Sequence, residues 1–369
     1  MNGTRRLAFS ILALIAWLGT AAGAGSAWAR FDAVPGSRYT SGRAAALGDA
    51  FLPLADDGAS ALFYNPAALG KLRTTQFEPI NMTLQANSDY LGMIDRNFFK
   101  LPSLSGYAPT ISGAEPAFPG FSAGLFPNGF TRGFGFGLLM QTDNQAQAQG
   151  ANIRYRSKYQ FIPTFGGALR LASGIVRLGY SLQWVNQASG DLTVPLSSSP
   201  LGYNQGLAEG SALSHTLAFA LTLPYQYLPA LNLVGRNVMG ARYRSFSIVP
   251  LARNKNGVPA DEPATYDASF SLQPRAAAGS LFNLVFEYRD LTNTSGISLL
   301  GRGVVGAEWG FREQFFLRGG WRSGYPSAGI GLKRKTSEFS LSWYSEEAGT
   351  TYHERQDTRF LLHYQIRAF

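Results

Sequence analysis

The sequence predicts an all-β protein, a transmembrane antiparallel β-barrel of about fourteen strands preceded by an N-terminal helical segment. Three observations lead there: an export leader, a long series of alternating segments, and a rhythm of long and short gaps between those segments.

The leader comes first. Arg5-Arg6 precede the apolar run Leu7 to Leu18, and small residues follow as far as Ala27-Trp28-Ala29, an A-x-A cleavage pattern. Residues 1–29 read as a signal peptide, and the mature chain as starting at Arg30. The run is short for a membrane anchor and no basic stop-transfer cluster follows it. Cysteine is absent, so an exported chain here has neither disulfides nor thiolate chemistry.

Composition agrees with a large β structure. With 42 glycines, 13% aromatic and 15% charged residues, the chain is too rich in strand formers and too poor in charge for disorder. The net charge is +9, of which Arg5 and Arg6 leave with the leader. For an exported protein the counter-charge is anionic lipid head groups, outer-membrane lipid and lipopolysaccharide included, rather than nucleic acid. The basic residues are also dispersed, as in Arg154, Arg156 and Lys158 or Arg242, Arg244 and Arg253, which suits solvated loops.

Residues 30–73 differ in kind from the rest of the mature chain. Ser41 to Phe51 is Ala-rich and helix-prone with Ser41 as an N-cap, and Ala59 to Ala68 reads as a second short helix headed by Asp56 or Asp57. Pro66 breaks that helix or begins a new turn capped by Asn65. Short helices cannot span a bilayer, so this segment belongs in water or inside a barrel.

From residue 74 on, segments of 9 to 13 residues alternate and then break at polar or Gly-rich stretches. In 174–187, Val176, Leu178, Tyr180, Leu182 and Trp184 share one face, while Arg177, Gly179, Ser181 and Gln183 share the other. A soluble sandwich also alternates, but its strands are shorter than the 9–11 residues that span a bilayer. Strands are expected near 74–87, 119–127, 131–142, 158–171, 174–187, 211–223, 229–238, 265–274, 280–290, 299–311, 314–321, 325–334, 337–346 and 357–369, forming a barrel domain over 74–369. Long gaps (Ser88 to Phe118, Asp143 to Ser157, Ala188 to Gly210, Met239 to Ala264) alternate with short ones, which places both chain ends in the periplasm. The short connection at Arg322 to Gly324 breaks that rhythm. Trp184, Trp309, Trp321, Trp343 and Tyr344 suit an interfacial girdle. Phe369 ends the chain as a terminal aromatic, one residue out of phase with Phe360, Leu362, Tyr364 and Ile366, so a final slip is expected.

Several motifs occur in spelling only. Gly120 to Gly124 matches a nucleophile elbow around Ser122, a chemistry that needs a strand-turn-helix and a paired histidine. Gly301 to Gly306 matches a dinucleotide fingerprint, yet a strand continues where a helix should begin. Three histidines without cysteine make no metal constellation, and neither a metal, a cofactor nor a catalytic residue is expected. Gly133, Gly135 and Gly137 share one face opposite Phe134, Phe136 and Leu138, leaving a wall without inward side chains, for either an internal plug or a ligand passage. Pro79 and Pro163 each remove a ladder donor, so a gap or bulge is expected among the first four strands.

The stretch "RAAALGDAFLPLADDGASALFYNPAALGKL" resembles the N-terminal signature of the FadL-type outer-membrane transporters and the related PorV-like barrels, and "FEYRDL" and "LRGGWRSGYPSAGIGL" resemble their later strands. The resemblance implies a hatch plugging a fourteen-stranded barrel that carries hydrophobic compounds such as long-chain fatty acids by passive diffusion. It implies Asn65, Pro66 and Ala67 as the hatch motif, with an apolar pocket near the mature N-terminus to which Phe31, Leu62 and Phe63 contribute. It also implies a lateral opening beside a kinked early strand, for which Gly133, Gly135, Gly137 and Pro163 are candidates. The expected protein is a monomeric outer-membrane barrel that takes a hydrophobic small molecule or lipid. The rival readings are a PorV-like barrel that binds or shuttles secreted proteins, a structural barrel without transport, and a hydrolase built on Ser122.

Overall fold

The computed structural model describes residues 37–93, 118–149, 151–195, 197, 202–274, 279–347, 352–353 and 355–368. The leader 1–29, Phe31 and Phe369 lie outside the described residues.

One antiparallel sheet of sixteen hydrogen-bonded segments makes up the wall. Two of its strands are each broken by a proline into collinear halves. β1 is Gln76–Glu78 and Ile80–Asn87, interrupted at Pro79. β2 is Gly120–Leu125 and Asn128–Thr131, interrupted at Phe126-Pro127. The wall therefore has fourteen strands. The others are β3 Phe134–Gln149, β4 Asn152–Leu171, β5 Val176–Pro195, β6 Ala208–Thr222 and β7 Ala230–Arg236. β8 is Thr265–Leu272, β9 Ser280–Tyr288, β10 Gly303–Phe311 and β11 Phe315–Arg322. β12 is Tyr325–Lys333, β13 Ser337–Glu347 and β14 Gln356–Ile366. Each strand pairs with the next, and β14 pairs with β1, with Phe360 opposite Ala86. Closure leaves no sheet edge to satisfy.

Burial along the strands is inverted relative to a soluble protein. Leu178, Tyr180 and Trp184 on β5, Leu231 and Leu233 on β7 and Leu284 and Phe286 on β9 point outward and are exposed. Their polar neighbours Ser181, Gln183, Asn232, Asn283 and Glu287 point inward and are buried. An apolar outer face of this extent is made for lipid. Trp184 and Trp309 lie on that face. Tyr344, expected in the same girdle, is buried and lines the lumen, because it follows outward Trp343 and successive strand residues face opposite sides.

The wall is tall on one side and low on the other. β4 and β5 each run 20 residues, whereas β10 to β12 run 8 or 9. About 9–11 residues span the bilayer, so the tall strands project well past it. The expected loop Asp143 to Ser157 is therefore strand: β3 and β4 stay paired from Phe134↔Gly167 out to Gln149↔Asn152. It carries no lipid-facing pattern because its outer face meets protein. Tyr90, Phe121, Tyr155 and Tyr203 cluster there, with Tyr90–Phe121 ring centroids 5.2 Å apart and Phe121–Tyr203 5.6 Å apart. On the low side, Ser323 and Gly324 form a tight turn with positive φ between β11 and β12. That turn is the short connection anticipated around Arg322 to Gly324.

The barrel interior is filled by the N-terminal segment. Leu47, Phe51, Leu52, Leu62, Phe63, Tyr64 and Leu69 are buried there, and together with inward wall residues they form the apolar core.

Candidate functional site

The luminal segment is built from short, well-capped turns. Helix α1 (Gly42–Ala46) is capped by the Ser41 hydroxyl, which accepts from Ala44 N at 3.1 Å. Helix α2 (Gly58–Phe63) carries a capping box: Asp57 Oδ1 accepts from Ser60 N at 2.7 Å, and Ser60 Oγ accepts from Asp57 N at 3.3 Å. Pro66 then begins a 3-10 turn, Pro66–Gly70, whose N-cap is Asn65. Such brief helices are marginal alone, so they depend on the wall around them.

The wall holds them by charge and by shape. Arg43 donates to both oxygens of Glu308 on β10, at 2.8 and 2.7 Å, and pairs with Asp56 at 2.8 Å. Asp49 receives Arg289 at 2.6 Å and Arg322 at 3.3 Å, and Tyr64 Oη donates to it at 2.8 Å. Burial would raise the Asp49 carboxyl, but the two guanidinium groups outweigh it and hold it below its ordinary value. Glu287 on β9 accepts from the amides of Phe51 and Leu52 at 3.1 and 3.2 Å, capping the turn Leu52–Leu54. Asn65 is fully buried and makes three bonds. Its Nδ2 donates to Leu52 O at 2.9 Å and to Asn232 Oδ1 of β7 at 3.0 Å, and its Oδ1 accepts from Ala67 N at 3.2 Å.

Above this segment lies a cavity of about 580 Å³. Its lining is mainly polar: Arg38, Gln141, Arg156, Lys158 and Glu262 surround it, with Phe63, Tyr344 and Leu361 as apolar patches. Arg38 ties the hatch to the loop 237–264, because it ion-pairs with Glu262 and donates to Gln183 at 2.9 Å and Asn237 at 2.9 Å. Burial alone would push the Glu262 carboxyl up, yet Arg38, Lys158 and a bond from Tyr243 (2.9 Å) bring it to about 2.

From the cavity an aromatic path runs to the wall. Phe63 lies edge-on to Phe126, 5.1 Å between centroids, and Tyr39 packs on both at 6.0 and 5.5 Å. Phe126 sits in the break of β2 with its ring turned inward over Gly137. Beside it, Pro79, Ile80 and Asn81 of β1 stand opposite only Phe126 and Pro127, since Glu78 pairs with Asn128 but Met82 with Leu125. That is a bulge at Pro79. Tyr39 Oη donates to Asn81 Oδ1 at 2.8 Å, so the luminal segment touches the bulge directly. A second interruption lies between β4 and β5: Phe161↔Asn186 and Thr164↔Gln183 are paired, and Ile162 and Pro163 between them are not.

The predicted residues fall in distinct places. Asn65, Pro66 and Ala67 lie against β5 and β7, and Leu62 packs toward Gly135 and Gly166 of the wall rather than the cavity. Phe63 faces the cavity. Gly133 is not in a strand; it belongs to the turn before β3 with φ +72°. Gly135 and Gly137 leave no opening, because Leu69 and Leu62 fill the space at the first, and Phe126 and Asn128 fill it at the second. Ser122 lies within strand β2, and Gly301 to Gly306 runs from a 3-10 turn into β10, so neither spelled motif has the helix its chemistry needs. Phe126, Arg38, Glu262 and Asn232 carry no local signal in the sequence, since each matters through a partner distant along the chain.

A closed wall, an apolar outer band and a filled lumen decide the architecture. The fold is that of an outer-membrane β-barrel. No protein-family model and no curated protein sequence matches this barrel. Among solved structures it is similar to a CymD monoaromatic hydrocarbon channel, over 85% of this chain and 92% of that one, with TM-score 0.43 and 8% identity. It is also similar to the P. putida toluene transporter TodX, over 87% and 96%, with TM-score 0.39 and 12% identity. Outer membrane phospholipase A from Escherichia coli is similar over 79% and 96%, with TM-score 0.28 and 9% identity.

Proposed function

We propose that this barrel is a FadL-type outer-membrane transporter that passes hydrophobic compounds from the extracellular side to the membrane by passive diffusion. The observation that carries the reading is the aromatic path Phe63–Phe126, which leads from the luminal cavity to the interrupted wall at Pro79 and Pro127. An apolar solute is driven along it by leaving water, at about 25 cal/mol per Å² of apolar surface buried. The exit lies at that bulge or at Pro163, since the space beside Gly135 and Gly137 is occupied. Asn65, Pro66 and Ala67 act as the gate, and Phe63 is the first apolar contact inside the cavity.

The cavity's polar lining favours an amphiphile over a bare hydrocarbon. Arg156 and Lys158 would face the carboxylate of a fatty-acid-like solute while its chain meets Phe63. A single barrel suffices for this route, and lipid, lipopolysaccharide included, surrounds the outer band. The protein-shuttle reading gains less support, because loop 237–264 is tied inward through Glu262 and Arg38.

Uptake of labelled oleate and of labelled toluene by cells lacking other such transporters tests the reading. Expression should raise oleate uptake severalfold over an empty vector, and Phe63→Ala with Phe126→Ala should remove most of the gain in a barrel that still folds. Uptake equal to the vector for both probes would overturn it.

A further inference from the structure

The two rims of the barrel differ in charge. At the extracellular end both signs are interspersed: Arg154 pairs with Asp191, Arg359 with Glu346 and Asp357, and Arg38 with Glu262, while Arg242, Arg244, Arg253 and Lys255 are exposed in the same loop as Asp261. At the periplasmic end the exposed ionisable residues among the described segments are Arg73, Arg132, Arg170, Arg312, Arg334 and Lys335, set against Glu313 and against Asp56, which pairs with Arg43.

Position distinguishes three of these cations from ordinary solvated charge. Each stands one or two residues from an exposed, outward apolar side chain at a strand end: Arg132 from Phe134, Arg312 from Phe311, and Arg334 from Leu332. Arg170, between outward Leu169 and Leu171, is on the luminal face of its strand. The Arg312 guanidinium lies over the Phe311 ring, 5.1 Å from its centroid, so it faces the lipid side rather than the barrel axis. None of the three has a carboxylate partner among the described residues. Arg132 Nε donates to the Arg73 carbonyl at 3.1 Å. Apolar side chains that end in the acyl layer, with a guanidinium just beyond them, place positive charge at the depth of lipid phosphates.

We propose that the periplasmic turns form a ring of binding sites for anionic phospholipid of the inner leaflet. Arg132, Arg312 and Arg334 are the phosphate ligands, and Phe134, Phe311 and Leu332 are the acyl contacts. A guanidinium fork suits phosphate oxygens, and the ring is spread over three turns, so several lipids bind at once. An acidic periplasmic protein is the other chemistry that a basic rim could take. It would need cations turned to the axis, and the Arg312–Phe311 stack turns one outward.

The full-length barrel in neutral detergent, titrated with phosphatidylglycerol or phosphatidylcholine and read by native mass spectrometry, tests this. Wild type should retain phosphatidylglycerol about tenfold more tightly, a preference that falls as salt rises. Replacing the three arginines by Gln should abolish the preference, and replacing them by Lys should keep much of it. Equal retention of the two lipids by wild type, or an unchanged preference in the Gln variant, overturns the proposal. If the Gln variant does not fold, the salt series on wild type decides, and a preference indifferent to salt overturns it. Oleate uptake is a separate measurement, so failure here leaves the transport reading standing.

Discussion

Gly179 of β5 lies so close to Ala67 that a Cβ on the glycine would overlap the Ala67 amide nitrogen and the Pro66 carbonyl carbon. Both obstructing atoms are backbone, so no rotamer change relieves the clash. Gly179→Ala should therefore push the turn Pro66–Gly70 off the wall, at a cost of about 1–3 kcal/mol for overpacking, while the strand ladder of the barrel is kept. Raised ion conductance in planar bilayers and faster proteolysis of residues 37–75 are expected. Gly167→Ala is the control, since its Cβ would meet only the Gly133 carbonyl oxygen at 3.7 Å. Equal conductance in both variants would show that this contact does not seal the lumen.

Asn65→Ala should release the same turn from the other side. It leaves the Leu52 carbonyl and the Ala67 amide without their side-chain partner in a fully buried place, at about 1–3 kcal/mol for each group left unsatisfied. Asn232→Ala removes only the bond to the wall at 3.0 Å and should be milder. Hydrogen exchange over 37–75 measures both. A larger effect from Asn232→Ala than from Asn65→Ala would show that Asn65 is not the organising residue.

The difference between these two residues shows what the sequence can and cannot reveal. Asn65-Pro66 announces itself, because an N-cap followed by Pro at the first helical position is a local device. Asn232 is one polar residue among many on an inward face, and its meaning depends on a contact 167 residues away. The same holds across the fold. Alternation made fourteen strands countable, since each strand declares its lipid face locally. It failed at Asp143 to Ser157, where the outer face of the strands meets Tyr203 and Tyr90 instead of lipid. It also misplaced Tyr344, whose aromatic character suggested a girdle although its position in the alternation pointed inward. The prolines were informative because they remove a donor wherever they stand, but the partner strand that absorbs the loss, as Phe126 does, is not local.

The hatch should tighten as pH falls from 8 to 5. Burial first, then the nearby charges of Glu78 and Asp56, push the Asp57 carboxyl up to about 7. A carboxyl raised above its unfolded value favours the folded state fully below the unfolded pKa, near 4, and that contribution is lost as pH rises through about 7. Asp57 caps α2 through Ser60 N at 2.7 Å, and the neutral carboxyl still accepts that bond. Protease protection of residues 37–75 should accordingly be greater at pH 5 than at pH 8, and Asp57→Asn should flatten the profile. A profile that persists unchanged in Asp57→Asn would assign the effect to another group.

Closing the wall at Pro163 separates the two exits. Ile162 and Val185 stand opposite each other in the unpaired stretch of β4 and β5, in a register that Phe161↔Asn186 and Thr164↔Gln183 fix on either side. The chain has no cysteine, so Ile162→Cys with Val185→Cys would introduce the only disulfide. If solutes leave beside Pro163, the oxidised pair should lower oleate uptake severalfold and dithiothreitol should restore it. If they leave at the Pro79 bulge, oxidation should change nothing, while enlarging Gly124 should block uptake: its Cβ would lie 2.6 Å from Thr83 Oγ1, one register step from the Met82↔Leu125 pair that borders the bulge. Uptake unaffected by either change would remove both breaks as exits and leave the aromatic path from Phe63 without an outlet.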